Sequence, residues 1–164
     1  MPYGHWGIRA RHNKGIEGLC FADPYIFAAS ETIIERDGQR LAPFVRMRRD
    51  GSEQVPLMIA LTSGQGKISA LACHRSSTGV RLVAIERHFE VSRVLRFPVD
   101  NETASGKMIT PRILLDMQPT PDGRLPNYEG ILWENDGWWM ISDNHYGRIT
   151  GPTDVLHLGD GPAP

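Results

Sequence analysis

Three times along this chain a short strand with unlike faces is followed by a turn and a second, apolar strand that finishes beside an acid. The copies are KGIEGLCF (14–21) with YIFAASET (25–32), KISALAC (67–73) with VRLVAIER (80–87), and NYEGILW (127–133) with WWMISDN (138–144). With Glu17, Ser69 and Glu129 as equivalent positions, the copies lie 52 and then 60 residues apart (17 to 69 to 129). Self-similarity at such a period marks a stacked or radial array, and it limits the possible folds more than any other feature of the sequence.

In the first strand of each copy, large and small residues alternate, as Glu17, Leu19 and Phe21 do with Gly18 and Cys20. That pattern suits a strand covered on both faces. Asp136-Gly137 reads as a two-residue hairpin turn, because both residue types tolerate positive φ. Third strands are expected at 44–48, 91–97 and 153–158, and fourth strands at 55–61 and 112–117. No window keeps a helical i, i+3, i+4, i+7 stripe. The expected fold is therefore all-β: four-stranded antiparallel β-propeller blades at roughly 14–62, 67–117 and 127–158. A two-sheet sandwich would leave the repeat unexplained.

Propellers usually need four to eight blades, so three imply half of a six-bladed ring. Residues 5–10 (HWGIRA) can supply an outer strand to another blade. Two routes close the ring: a homodimer, or a larger protein of which this chain is half.

The 164 residues are 40% apolar and 23% charged, with a formal net charge of −1. Nothing in that balance suggests a nucleic-acid partner. No run approaches a membrane span of about 18 apolar residues. The first twelve residues lack the apolar core of a signal peptide. Cys20 and Cys73 sit inside apolar runs and read as small buried hydrophobes, with neither a disulfide nor a metal role.

In a propeller the first strand of every blade lines the axis, so equivalent residues gather at one rim. Glu17 and Glu129 form one such set; Glu31, Glu86 and Asp143 are expected to form another. Crowded carboxylates take up protons or hold a cation. Oxygen ligands without Cys or clustered His favour Ca²⁺, with carbonyl oxygens from Asn127 and Asn144. The alternative is that these acids, with Ser30 and Ser142, satisfy backbone N–H groups at strand ends.

The pattern E-G-[IL] followed by S-D-N resembles the phytase-like propeller family, "esterase-like activity of phytase". The best matches are NYEGI (127–131) with SDNH (142–145), then GIEGL (15–19) with SET (30–32), and more weakly ISAL (68–71) with IERH (85–88). The resemblance implies a propeller, a small-molecule phosphate or carboxylic ester as ligand, possible hydrolysis of it, and an exported protein. Family members are longer, and Ser69 replaces the first-strand Glu of the second unit.

G-x-S-x-G, H-E-x-x-H and P-loop motifs are absent. Hydrolysis would then be metal-assisted, with His145 and His88 as candidate proton carriers and Arg87 and Asn144 as substrate contacts. Trp133, Trp138 and Trp139 can stack on a sugar, but packing between blades is the expected duty of at least two of them. Beside the enzyme stand two other readings: a propeller that binds a ligand or partner protein without catalysis, and a structurally incomplete propeller.

Overall fold

A computed structural model of the chain describes residues 14–76, 79–100, 102–121, 123–135, 137–143 and 153–159. They contain no helix. The first blade is a meander of β1 (Ile16–Ala22), β2 (Tyr25–Ser30), β4 (Gln39–Arg48) and β5 (Gln54–Ala60). A short β3 (Ile34–Arg36) folds back on β4, and β9 (Met108–Ile109) adds a parallel pair to β5. The second blade runs β6 (Lys67–Ser76), β7 (Gly79–His88), β8 (Val91–Val99) and β10 (Arg112–Asp116). The third holds β11 (Tyr128–Glu134), β12 (Gly137–Ser142) and β13 (Val155–Gly159). The segment 5–10, expected to form an outer strand, lies outside the described residues.

The third hairpin turns one residue earlier than the sequence suggested. Glu134 pairs with Gly137, and Asn135 takes the positive φ of 52°.

Each blade shows two distinct faces. On the first, Phe27, Ala29 and Phe44 point forward and meet Leu82, Ala84, Leu95 and Phe97 of the second blade. On the other side of that blade Ala70, Ala72, Val83 and Ile85 meet Trp133, Trp138 and Met140 of the third. Alternation along each strand sends odd and even residues to opposite neighbours, so the central blade is apolar on both faces. Trp133 and Trp138 pack between blades, whereas Trp139 is partly exposed and stacks on His157 at 4.4 Å between ring centroids.

Inner strands β1 and β6 run close together. A Cβ on Gly18 would lie 2.6 Å from Cβ of Leu71, so only glycine permits this approach. Cys20 and Cys73 face each other across the same gap and form a disulfide, with Cα atoms 5.8 Å apart. This corrects the reading of the cysteines as unbridged hydrophobes. Cys20 lies three residues beyond Glu17, on the forward face, and Cys73 four beyond Ser69, on the backward face. Stacking the two blades brings them together.

Candidate functional site

The inner strand of every blade carries a register shift at the same place: between Ile16 and Gly18, between Ile68 and Ala70, and between Tyr128 and Gly130. The residues left unpaired are Glu17, Ser69 and Glu129, the positions that define the sequence repeat. A β-bulge re-aims the side chain of the extra residue. Here it places chemistry-bearing residues at one end of three adjacent inner strands.

Their neighbours follow from the ladders. Ile16 pairs with Ser30, Ile68 with Glu86 and Tyr128 with Ser142. Glu86 is thus equivalent to Ser30 and Ser142, and Arg87 is the residue equivalent to Glu31 and Asp143. The ladder places Glu86 one residue away from the position the sequence repeat assigns it beside Glu31 and Asp143, and a one-residue slip in a strand reverses the face a side chain occupies. Glu86 is fully buried. It accepts four hydrogen bonds, from the backbone N–H and hydroxyl of Thr62 (3.0 and 2.6 Å) and of Ser63 (3.1 and 2.6 Å). Arg40 donates to the carbonyls of Ser63 and Gly66, and Arg93 to that of Thr62. Glu86 therefore fastens the link between blades one and two, and both its oxygens are occupied.

At the mouth, blades one and three present acids and blade two presents bases. Lys67 and Arg87 are directly opposed in the β6–β7 ladder. Lys67 pairs with Glu31 of blade one, and Arg87 with Glu129 of blade three. Asn127 steadies Glu129 and also donates to the carbonyl of Asp143, both at 3.1 Å. Ser69 is buried and donates to the carbonyl of Tyr128 at 3.1 Å, tying the second inner strand to the third. Burial raises the Glu17 carboxyl above its ordinary 4.5; the charges of Glu31 and Glu129 push the same way, Lys67 opposes them, and a hydrogen bond shared with Glu31 adds to the rise. Those causes place Glu17, Glu31, Glu129 and Lys67 within one electrostatic neighbourhood.

Three nitrogens near this end are buried without a hydrogen-bond partner among the described residues: Nε of Arg87, Nε of Arg93 and Nδ1 of His88. His88 packs edge-on against Phe89, with ring centroids 5.1 Å apart. His145 and Asn144 lie outside the described residues. Among those described, no three His, Cys, Asp or Glu side chains come together as a metal ion requires.

Lys67 escaped the sequence reading although it begins the second repeat. Its signal was the departure itself: where Ser69 interrupts the pattern of acids, the same blade carries basic residues at both flanking positions.

With this geometry in place, comparison with known proteins is decisive for kinship. The family model "Phytase-like: Esterase-like activity of phytase" matches residues 6–146. The chain belongs to the phytase-like family. No curated protein matches the sequence. Among solved structures, the PQQ-bound form of aldose sugar dehydrogenase from Streptomyces coelicolor is similar, with a TM-score of 0.61 at 15% identity. The match covers 91% of this chain and 46% of that one, so the phytase-like chain spans about half the length of its structural neighbour. That neighbour is a β-propeller, and the likeness is one of fold.

Proposed function

We propose that this phytase-like propeller binds a phosphate or carboxylic ester at the mouth and hydrolyses it. The observation that carries the reading is Arg87, whose Nη2 is held on Glu129 while its buried Nε–H is open. A buried donor without a partner is costly; Nε of Arg46 and Arg93 share that state, and Arg87 differs in standing at the mouth beside Lys67 and Glu129, where a ligand can supply the acceptor. A planar guanidinium matches phosphate or carboxylate oxygens. Lys67, opposite Arg87, supplies a second positive charge for an oxygen that becomes anionic. Glu17 reaches solvent yet is partly desolvated by its neighbours, and it holds its proton to higher pH than an ordinary glutamate, as a general acid toward a leaving oxygen must. Glu129, fixed by Arg87 and Asn127, is the carboxylate to take a proton from the attacking water.

Calcium is not a component of this reading. Glu31 and Glu129 are engaged with Lys67 and Arg87, and Glu86 with Thr62 and Ser63. The inter-blade disulfide supports an exported protein, because such bonds persist in oxidising compartments. A binding module without catalysis is the second reading, favoured by the fact that both ion pairs also clasp neighbouring blades.

The outward faces suggest how the mouth is completed. Leu132, Trp139, Ile141 and Val155 on the forward face of blade three are exposed, Leu132 by 51%. On the backward face of blade one, Leu19 and Phe21 are exposed, Leu19 by 64%. These are the same two kinds of face that meet between blades one and two and between blades two and three. A second copy presents both, and two such contacts close a ring of six blades.

The test of function is turnover of p-nitrophenyl phosphate and p-nitrophenyl acetate, with and without added Ca²⁺. Activity that falls at least about tenfold in Arg87→Gln, as expected for loss of a charge-assisted contact, supports the hydrolase. Saturable binding of either ester without turnover favours the binding module.

A further inference from the structure

We propose a second ligand site, for a small organic anion with a planar apolar ring, in the cleft between blades two and three at the end away from the mouth. The cleft has a volume of about 310 Å³, and its lining includes His74, Arg81, Arg96, Trp133 and Trp138. It lies seven residues along β6 from Lys67, roughly 20 Å at the rise of an extended strand. The aromatic wall is continuous: the His74 and Trp133 rings are 4.6 Å apart between centroids, as are Trp133 and Trp138.

The repeat supplies an internal control. Ala29 pairs with Phe44 in blade one as Ile85 pairs with Val94 in blade two, so Arg46 and Arg96 are equivalent, and so are Tyr25 and Arg81. In the gap between blades one and two, Arg46 is buried and both its terminal nitrogens are engaged from within, while its Nε has no partner among the described residues. It binds Glu53 at 2.7 Å, donates to the carbonyl of Asp100 at 2.5 Å and lies 5.2 Å from the Tyr25 ring centroid. In the gap between blades two and three that arrangement is undone. Arg81 replaces the tyrosine, so two guanidinium groups share the space. Glu53 stands two residues before Val55, the partner of Arg46; the residue two before Arg112, the partner of Arg96, is the uncharged Thr110. Arg81 and Arg96 form no ion pair among the described residues, and no acid is among those lining the cleft.

Two forked cations with no carboxylate beside them among the described residues, next to two indoles and an imidazole, select an anion bearing a flat apolar body. The guanidinium forks take phosphate or carboxylate oxygens, and the rings take the body. A few hundred cubic ångströms is the volume class of small-molecule sites.

Phenylphosphonate, which has no ester bond for the mouth to hydrolyse, is the probe, read by quenching of tryptophan fluorescence, with phenol and inorganic phosphate standing for its ring half and its anionic half. The expected result is a saturable quench, with both halves at least about tenfold weaker. Arg81→Gln/Arg96→Gln should weaken the quench about tenfold or more, with Arg81→Lys/Arg96→Lys recovering part of it. Arg87→Gln, which alters the mouth, should leave it unchanged and so separates the two sites. A quench that never saturates, that survives in Arg81→Gln/Arg96→Gln with an unchanged circular dichroism spectrum, or that disappears in Arg87→Gln overturns the proposal.

Discussion

Glu86 and Glu17 are both acids at strand ends, and their surroundings give them opposite duties. Glu86 is enclosed by two backbone N–H groups and two hydroxyls. Removing it leaves those half-buried donors without their acceptor and a cavity in place of a fully buried side chain, a loss of about 3 kcal/mol. Chemical denaturation of Glu86→Ala should show a destabilisation of that order, independent of calcium. For Glu17 the sign runs the other way from a usual carboxylate. Its folded pKa is raised, so between 4.5 and the raised value the folded state holds more protons than the unfolded one, and stability falls as pH rises through that window. Glu17→Gln should flatten that part of a melting-temperature profile against pH. A profile identical to wild type would mean that Glu17 does not feel Glu31 and Glu129.

At the scale of elements, the shared bulge and the disulfide hold the architecture. The Cys20–Cys73 bond spans a sequence separation of 53 residues, a loop whose closure stabilises the fold by about 4 kcal/mol on a chain-entropy account. Cys20→Ala/Cys73→Ala should melt roughly 10 °C lower, and non-reducing peptide mapping should find the two cysteines linked in wild type. The strands themselves were legible, because residue alternation and turn chemistry are local. The repeat positions 17, 69 and 129 were legible too, since the bulge recurs with the motif. The register of the second unit was not: Glu86 mimics the acid of SET and SDN, and only the ladder shows that Arg87 holds that place. Pairing of the cysteines was equally hidden, because it depends on how blades stack. Lys67 and Arg87 gain their meaning only when blade two is set between its acidic neighbours.

On the scale of the whole molecule, the proposed six-bladed ring sets the exposed apolar faces of blades one and three against a second copy. Native mass spectrometry should find twice the 18.3 kDa chain mass, and Leu132→Glu on the exposed forward face should return it to a single chain. A well-folded monomer at micromolar concentration would contradict closure by a second copy and leave those faces to another occupant. The account rests most heavily on the mouth, where Lys67 and Arg87 stand between Glu17 and Glu129. Its most direct test is the pH–rate profile for p-nitrophenyl phosphate and p-nitrophenyl acetate, measured for wild type and Glu17→Gln. The account predicts turnover in wild type whose basic limb, set by a carboxyl titrating above 4.5, is lost in Glu17→Gln together with most of the rate. Equal rates and identical profiles in the two proteins would contradict it.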